Sequence, residues 1–260
     1  MSRQVNFWDS KAFEKYIVRA EWSNGYKNNV FNAYADWCRY KGFDYTPKLY
    51  RRENKLPYIP RENEIDQLIS GCGRKLSCFL QILKESGFRP IEAIRLAPED
   101  FDLNQQICYM NKPAKSSNPR MFKMSNKLVS MITPYLQNKP STKRIWAGKL
   151  DHLRRNYSLK RRAISQKIAN TNLIKISFRT FRHWKATMEY HKTKDILYVM
   201  RILGHKRIQN TLVYTHLVNF ESDDWVCKVA SNLKEAVELI ESGFEFVTEY
   251  EGKKIFRKRK

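Results

Sequence analysis

The sequence lacks long apolar segments, and its uninterrupted apolar runs, such as residues 196–200, are only a few residues long. A membrane-spanning helix needs about 20 such residues, so we expect no membrane span. The first residues, MSRQVNFWDSKAFEKY, contain no apolar stretch of the kind that directs secretion. Nine glycines and nine prolines are too few for a collagen-like or low-complexity chain. Together these absences predict a cytoplasmic protein, and a hydrophobic content of 42% with 13% aromatic residues predicts that it folds around a core.

Cysteine is also scarce, and the five cysteines, an odd number, show no disulfide-framework spacing. Cys72 and Cys78 are six residues apart, and His183 and His191 are eight apart, so neither pair has the spacing of a zinc finger or of a His-Glu-x-x-His metalloprotease. Glycine-rich nucleotide-binding motifs and the Gly-x-Ser-x-Gly elbow are missing too. The sequence therefore predicts reduced thiols, no metal and no cofactor.

Acidic residues are few compared with basic ones, 26 against 49, which gives a net charge of +23. Residues 105–182 hold 18 basic residues and one acidic residue, whereas residues 1–56 hold 11 and 6. A surface that serves only solubility mixes both signs. The segment 105–182 therefore predicts a site for a polyanion, with nucleic acid favoured over an anionic membrane surface.

Helical periodicity dominates the chain, which predicts a mainly α fold with a small β component (α+β). The polar, proline-containing segment 46–60 predicts a linker, so we place a boundary after residue 56 and expect domains 1–56 and 57–260. Two helices are expected in the first domain. In the second domain we expect helices near 61–69, 75–83, 90–96, 126–136, 150–169, 178–192, 194–203, 207–216 and 232–240, strands at 106–111 and 120–124, and a terminal hairpin (244–256) before a basic tail (257–260).

A set of cations precedes one tyrosine in the second domain. Transfer of a phosphodiester needs a nucleophile, cations that neutralise the phosphate and a proton donor for the leaving oxygen. Tyrosine can be the nucleophile, arginine binds phosphate through two parallel N–H groups, and lysine can donate the proton. Each residue taken alone also has an ordinary structural explanation. The candidates are Arg89, Lys115, Arg179, Arg182, His205 and Tyr214.

These residues lie in segments that resemble the motifs of the tyrosine recombinases, the phage-integrase and Xer class. The resemblance covers residues 60–220. The spacing also fits the family: 23 residues separate Arg182 from His205, and nine residues separate His205 from Tyr214. The C-terminal helix, hairpin and basic tail resemble those of archaeal members. The matching positions are Arg89 with a supporting Glu92 in SGFRPIE, Lys115 in AKSSNPR, Arg182 in FRTFRH, and His205 and Tyr214 in LGHKRIQNTLVYTHL.

The resemblance implies a site-specific recombinase or integrase that cleaves double-stranded DNA through a 3′-phosphotyrosine at Tyr214, without metal or ATP. Residues 1–56 would be a helical core-binding domain and residues 57–260 the catalytic domain. Recombination also implies four subunits on two duplexes, in the cytoplasm and on the nucleoid when bound to DNA. The alternatives are strand relaxation like that of a type IB topoisomerase and a DNA-binding module whose site has decayed.

One position departs from the family motif, because Arg179 stands where the family has histidine. Arginine cannot act as a base near neutral pH, so the acceptor of the Tyr214 proton is open and His205 is the remaining candidate. Lys112 competes with Lys115 as the proton donor, although the spacing to Arg120 favours Lys115. The candidate DNA contacts are Arg120, Arg154, Arg155, Lys160, Arg161 and Arg162.

Overall fold

The computed structural model describes residues 6–51, 56–137, 140, 143–217, 225–250 and 252–259. The fold is mainly helical with two small antiparallel sheets, which confirms the predicted class. The chain divides into two compact units, Met1–Leu56 and Pro57–Lys260. Within the described ranges, the helices are too short or too polar to cross a bilayer.

The first unit is built on two helices, α1 (Ser10–Arg19) and α2 (Asn24–Tyr40). Each helix is preceded by an N-cap residue whose side chain accepts a backbone N–H from the first turn. This residue is Asp9 for α1 and Ser23 for α2. Aromatic rings fill the space between the helices, and the rings of Phe13 and Tyr34 stack with centroids 3.8 Å apart. The buried core consists of Phe13, Ile17, Phe31, Tyr34 and Cys38.

The second unit packs its helices around α4, which is buried along most of its length because apolar residues occupy nearly every side of it. Phe79 of α4 meets Trp146 and Phe178 edge to face, and α4 contacts α3, α6 and α8. The helices are α3 (Glu62–Ser70), α4 (Arg74–Ser86), α5 (Pro90–Ala93), α6 (Asn126–Leu136), α7 (Leu150–Lys167), α8 (Phe178–Thr193), α9 (Ile196–Leu203) and α10 (Gln209–Leu212).

A three-stranded sheet lies against these helices: β1 (Phe101–Asp102), β2 (Ile107–Met110) and β3 (Arg120–Lys123), in the order β1-β2-β3. The two predicted strands are confirmed with shorter bounds, and β1 was too short to be predicted. Cys108 and Met110 point into the core. The sheet therefore fixes both ends of the loop 111–119, which carries Lys115.

The predicted helix over 207–216 is wrong in its second half. After α10 the chain forms turns and a 3-10 segment, Thr215–Leu217, and Tyr214 lies in the turn between them. The Tyr214 N–H bonds to the Thr211 carbonyl three residues earlier, which is the 3-10 pattern. The Tyr214 ring packs in a small apolar cluster with Ala186, Val199 and Leu203.

The C-terminal segment forms a second sheet and one helix: β4 (Trp225–Ala230), α11 (Leu233–Glu241), β5 (Glu245–Tyr250) and β6 (Lys253–Arg259), with sheet order β4-β6-β5. The expectation of a basic tail is wrong for residues 257–259, because β6 is the central strand and Arg257 pairs with Cys227 and Glu245. Residue 260 lies outside the described residues. The pairing with β4 joins residues about thirty positions apart, which local sequence patterns do not reveal.

Candidate active site

A buried carboxylate, Glu92, organises the site. Arg89 is the N-cap residue that immediately precedes α5. The Glu92 carboxylate accepts hydrogen bonds from the Arg89 backbone N–H at 2.7 Å and from Arg89 Nη1 at 3.1 Å. The same carboxylate accepts Nη2 of Arg120 from β3 and the Ala114 N–H from the loop at 3.1 Å. Burial raises the pKa of Glu92, but the Arg120 guanidinium and the other donors outweigh it and hold the pKa below its ordinary value. One ionised carboxylate therefore ties together α5, β3 and the loop between the strands.

The loop that carries Lys115 is anchored on both sides of that residue. Ala114 binds Glu92, and Ser117 Oγ accepts Nη1 of Arg89 at 2.6 Å. Lys115 itself is exposed and has a positive φ of 56°. Lys112 is also exposed and lies 3.8 Å from the Glu99 carboxylate. The loop backbone is therefore held in place around Lys115, whereas the contact recorded for Lys112 is with the Glu99 carboxylate.

A second arginine is fixed by carbonyl groups. Arg182 of α8 is buried and donates from Nη1 to the Gly87 carbonyl and from Nη2 to the Leu203 carbonyl, both at 2.8 Å. Its Nη2 also lies 2.9 Å from Nε2 of His205. A guanidinium has no acceptor, so the His205 Nε2 must accept. The ring proton is therefore assigned to Nδ1, which faces Thr211 Oγ1 at 2.9 Å.

The site has an excess of positive charge. Burial, together with the Arg89 and Arg120 guanidiniums, lowers the pKa of Arg182 to about 9. Burial and then Arg182 lower the pKa of His205 to about 4, so its imidazole is neutral near pH 7. Three guanidiniums are thus close to the single charge of Glu92. A phosphate can neutralise this excess of positive charge through charge-assisted hydrogen bonds.

The hydroxyl of Tyr214 lies beside a histidine that we did not predict. Tyr214 is 3% exposed, and its Oη lies 3.1 Å from Nδ1 of His183. Burial raises the pKa of Tyr214, opposed in part by Arg182, Arg179 and Arg89. The sequence signal for His183 was its position directly after Arg182 in FRTFRH.

The other candidates occupy two kinds of environment. Arg179 is exposed in the first turn of α8. Arg161 donates to the Ile176 carbonyl at 2.6 Å and its guanidinium lies 5.4 Å from the Tyr157 ring, and Arg120 is buried against Phe88. Arg120 and Arg161 are therefore occupied by internal contacts. The exposed DNA-contact candidates are Arg154, Arg155, Lys160 and Arg162.

Fold and site together define a mainly helical protein with a cluster of arginines near a buried carboxylate and a tyrosine hydroxyl. The model of the phage integrase family matches residues 60–220, which is more than half of the chain. The chain therefore belongs to the phage integrase family, and its resemblance to the tyrosine recombinases is confirmed.

Individual relatives support this placement. The chain is 26% identical over 173 residues to tyrosine recombinase XerA of Saccharolobus solfataricus, covering 66% of this chain and 55% of that protein. It is 25% identical over 189 residues to tyrosine recombinase XerD of Proteus mirabilis, covering 66% and 58%. The chain thus spans little more than half the length of these relatives. The Tn1549 transposon integrase, solved in complex with transposon right end DNA, has a similar fold, with a TM-score of 0.64 at 13% identity over 93% of this chain and 86% of that one.

Proposed function

We propose that this protein is a site-specific DNA recombinase or integrase that cleaves and rejoins double-stranded DNA through a 3′-phosphotyrosine at Tyr214. One observation carries the proposal. Arg89 donates to the buried carboxylate of Glu92, Arg182 donates to His205, and the positive charges of both arginines act on the Tyr214 hydroxyl. An uncompensated cationic site beside a hydroxyl nucleophile suits attack on a phosphodiester.

In the proposed reaction, Oη of Tyr214 attacks the phosphorus and the bond from phosphorus to the 5′ oxygen breaks. Arg89 and Arg182 stabilise the charge that develops on the phosphate oxygens. Lys115 gives a proton to the leaving 5′ oxygen. The 5′-hydroxyl of a partner strand then reverses these steps. Because one phosphate ester replaces another, bond energy is retained and the reaction needs no ATP. The arginines and Lys115 supply the charge stabilisation and the proton that a metal site would otherwise provide.

The same proposal assigns the surfaces that hold DNA. The exposed cations of α7, among them Arg155, Lys160 and Arg162, would track phosphates. Residues 1–56 would act as the helical core-binding domain. Exchange between two duplexes would use four copies of the chain, in the cytoplasm and on the nucleoid.

Covalent trapping tests the proposal. The protein is incubated with a pool of nicked random-sequence duplexes, whose cleaved end diffuses away and prevents rejoining. We expect an adduct that survives denaturation and that Tyr214→Phe abolishes, and sequencing the trapped DNA gives the target site. The absence of any adduct would favour a DNA-binding module. An adduct with relaxation of supercoils but without joined products would favour a topoisomerase.

A further inference from the structure

We propose that His183 is the general base that accepts the Tyr214 proton through its Nδ1. The inference rests on the proposed function and adds a residue to its chemistry. It addresses the gap left by Arg179, which replaces the family's histidine and cannot accept a proton near neutral pH.

The contact between the two side chains has the geometry that proton transfer requires. The 3.1 Å between Nδ1 of His183 and Oη of Tyr214 is within hydrogen-bond distance. Tyr214 is 3% exposed, so its hydroxyl needs a partner inside the protein. When the Tyr214 hydroxyl is the donor, the lone pair of His183 Nδ1 accepts the same proton that Tyr214 must lose as it attacks.

The other candidate, His205, has no lone pair to offer. Its Nε2 accepts from Arg182 at 2.9 Å, and its Nδ1 carries the proton that faces Thr211 Oγ1. Accepting the Tyr214 proton would require His205 to break the bond to Arg182. The arrangement therefore leaves His205 to hold Arg182, and His183 to serve the nucleophile.

Three ionisable groups in the described part of the chain face His183: Arg179 and Arg182 on its own helix, and Tyr214 from the turn after α10. Burial first, and then the two arginines, lower the pKa of His183 to about 4. The free imidazole is therefore neutral at pH 7 and its lone pair is available. A phosphate that binds Arg182 offsets the charge of that arginine, so it raises the pKa of His183 toward its ordinary value and makes it a stronger base when substrate is present.

In the proposed step each proton has a donor and an acceptor, and each bond that forms replaces one that breaks. As the new bond between Oη and phosphorus forms, the Tyr214 proton moves to Nδ1 of His183. The electron pair of the bond between phosphorus and the 5′ oxygen leaves with that oxygen, which takes a proton from Lys115. On rejoining, His183 returns the proton to the departing phenol.

A substrate with a better leaving group separates the two proton transfers. The duplex recovered by trapping is made in two forms, one normal and one with sulfur in place of the scissile 5′ oxygen. A thiol has a pKa of about 8.5 and leaves without a general acid. We expect Lys115→Ala to be slow on the normal duplex and fast on the sulfur duplex. We expect His183→Gln to be slowed about 100-fold on both.

A second histidine on α8 provides the control variant. His191→Gln changes a histidine eight residues further along α8 and is expected to cleave at the wild-type rate. DNA affinity and melting temperature of His183→Gln show whether the variant folds and binds. Wild-type cleavage of the sulfur duplex is also measured from pH 8 to pH 4. We expect the rate to fall toward the acid end of this range as His183 becomes protonated.

The outcomes distinguish the two proposals. If the wild-type protein forms no adduct, the proposed function fails. If the wild type cleaves and His183→Gln cleaves as fast, or is restored by the sulfur duplex as Lys115→Ala is, the role of His183 is overturned. A wild-type rate on the sulfur duplex that stays flat from pH 8 down to pH 4 overturns it as well, without depending on the folding of a variant.

Discussion

Glu92 shows how a single buried side chain can hold several elements of the site together. Its carboxylate is fully buried and joins Arg89 to Arg120. A buried charge of this kind contributes through its partners, since its removal leaves two guanidiniums next to Arg182 with no counter-charge.

Replacing Glu92 with glutamine is expected to lower the free energy of unfolding by about 3–5 kcal/mol, the usual cost of breaking a buried ion pair. Chemical denaturation measures the change. Asp151→Asn is the matched control, because its ion pair with Arg154 is exposed and should contribute less than about 1 kcal/mol. Equal losses in the two variants would contradict the central position of Glu92.

The two histidines of the site predict how stability depends on pH. Their pKa values are about 4 in the folded protein, below the ordinary value of 6.5. Between these values the unfolded chain binds more protons, so stability is fully present above pH 6.5 and is lost as the pH falls toward 4. Melting curves at several pH values should show this decline, and His183→Gln should make it shallower. A melting temperature that does not change over this range would contradict the burial of these side chains.

At the scale of elements, the turn after α9 and the loop between β2 and β3 depend on each other. Gly204 ends α9 with a φ of +68°, and its carbonyl accepts the Asn118 N–H at 3.1 Å. An added Cβ would lie 2.8 Å from the Asn118 carbonyl oxygen and 3.0 Å from Nη1 of Arg120. The glycine next to His205 therefore allows the Lys115 loop to approach the turn after α9 closely.

Gly204→Ala is accordingly expected to destabilise the fold by about 1–3 kcal/mol and to slow DNA cleavage, because the loop must move. Gly252→Ala is the matched control, since Gly252 has a φ of +72° but open space around it. Both variants carry the backbone penalty, and only the first carries the crowding. If their melting temperatures fall equally, the contact with the loop is not what requires glycine at position 204.

Helix α7 contains a second matched pair, two neighbouring arginines in different environments. Arg161 donates to the Ile176 carbonyl and lies against Tyr157, whereas Arg162 is exposed. We expect Arg161→Ala to lower the melting temperature. Arg162→Ala should leave the melting temperature unchanged and weaken DNA binding, which thermal melts and titrations in parallel can measure. The reverse pattern would move the DNA surface to the other side of α7.

At the scale of the whole molecule, charge is the dominant property. The net charge is +23, and residues 105–182 carry 17 of it. If this segment follows the phosphates, the logarithm of affinity for duplex DNA should fall steeply and linearly with the logarithm of salt concentration. Each exposed phosphate contact removed from α7 should reduce the slope by about 0.9. An affinity that does not respond to salt would exclude this segment as the footprint.

The sequence alone predicts most of the secondary structure, the motif residues of the site and the basic region. Periodicity predicts most of the helices and both strands of the first sheet, because apolar stripes and turn residues act over a few positions. The motif spacing places Arg89, Arg182, His205 and Tyr214 in segments that the fold then brings together. Charge counting identifies the basic region without any structure.

Only the tertiary structure decided what each of these side chains contacts. Arg161 and Arg162 are alike in sequence, and folding alone separates the internal cation from the exposed one. Residues 257–259 form a central strand because β4 pairs with them from about thirty positions away. His183 reaches Tyr214 across 31 positions. The physical reason is common to all three: burial and hydrogen bonding depend on distance in space, and local sequence patterns report only neighbours along the chain.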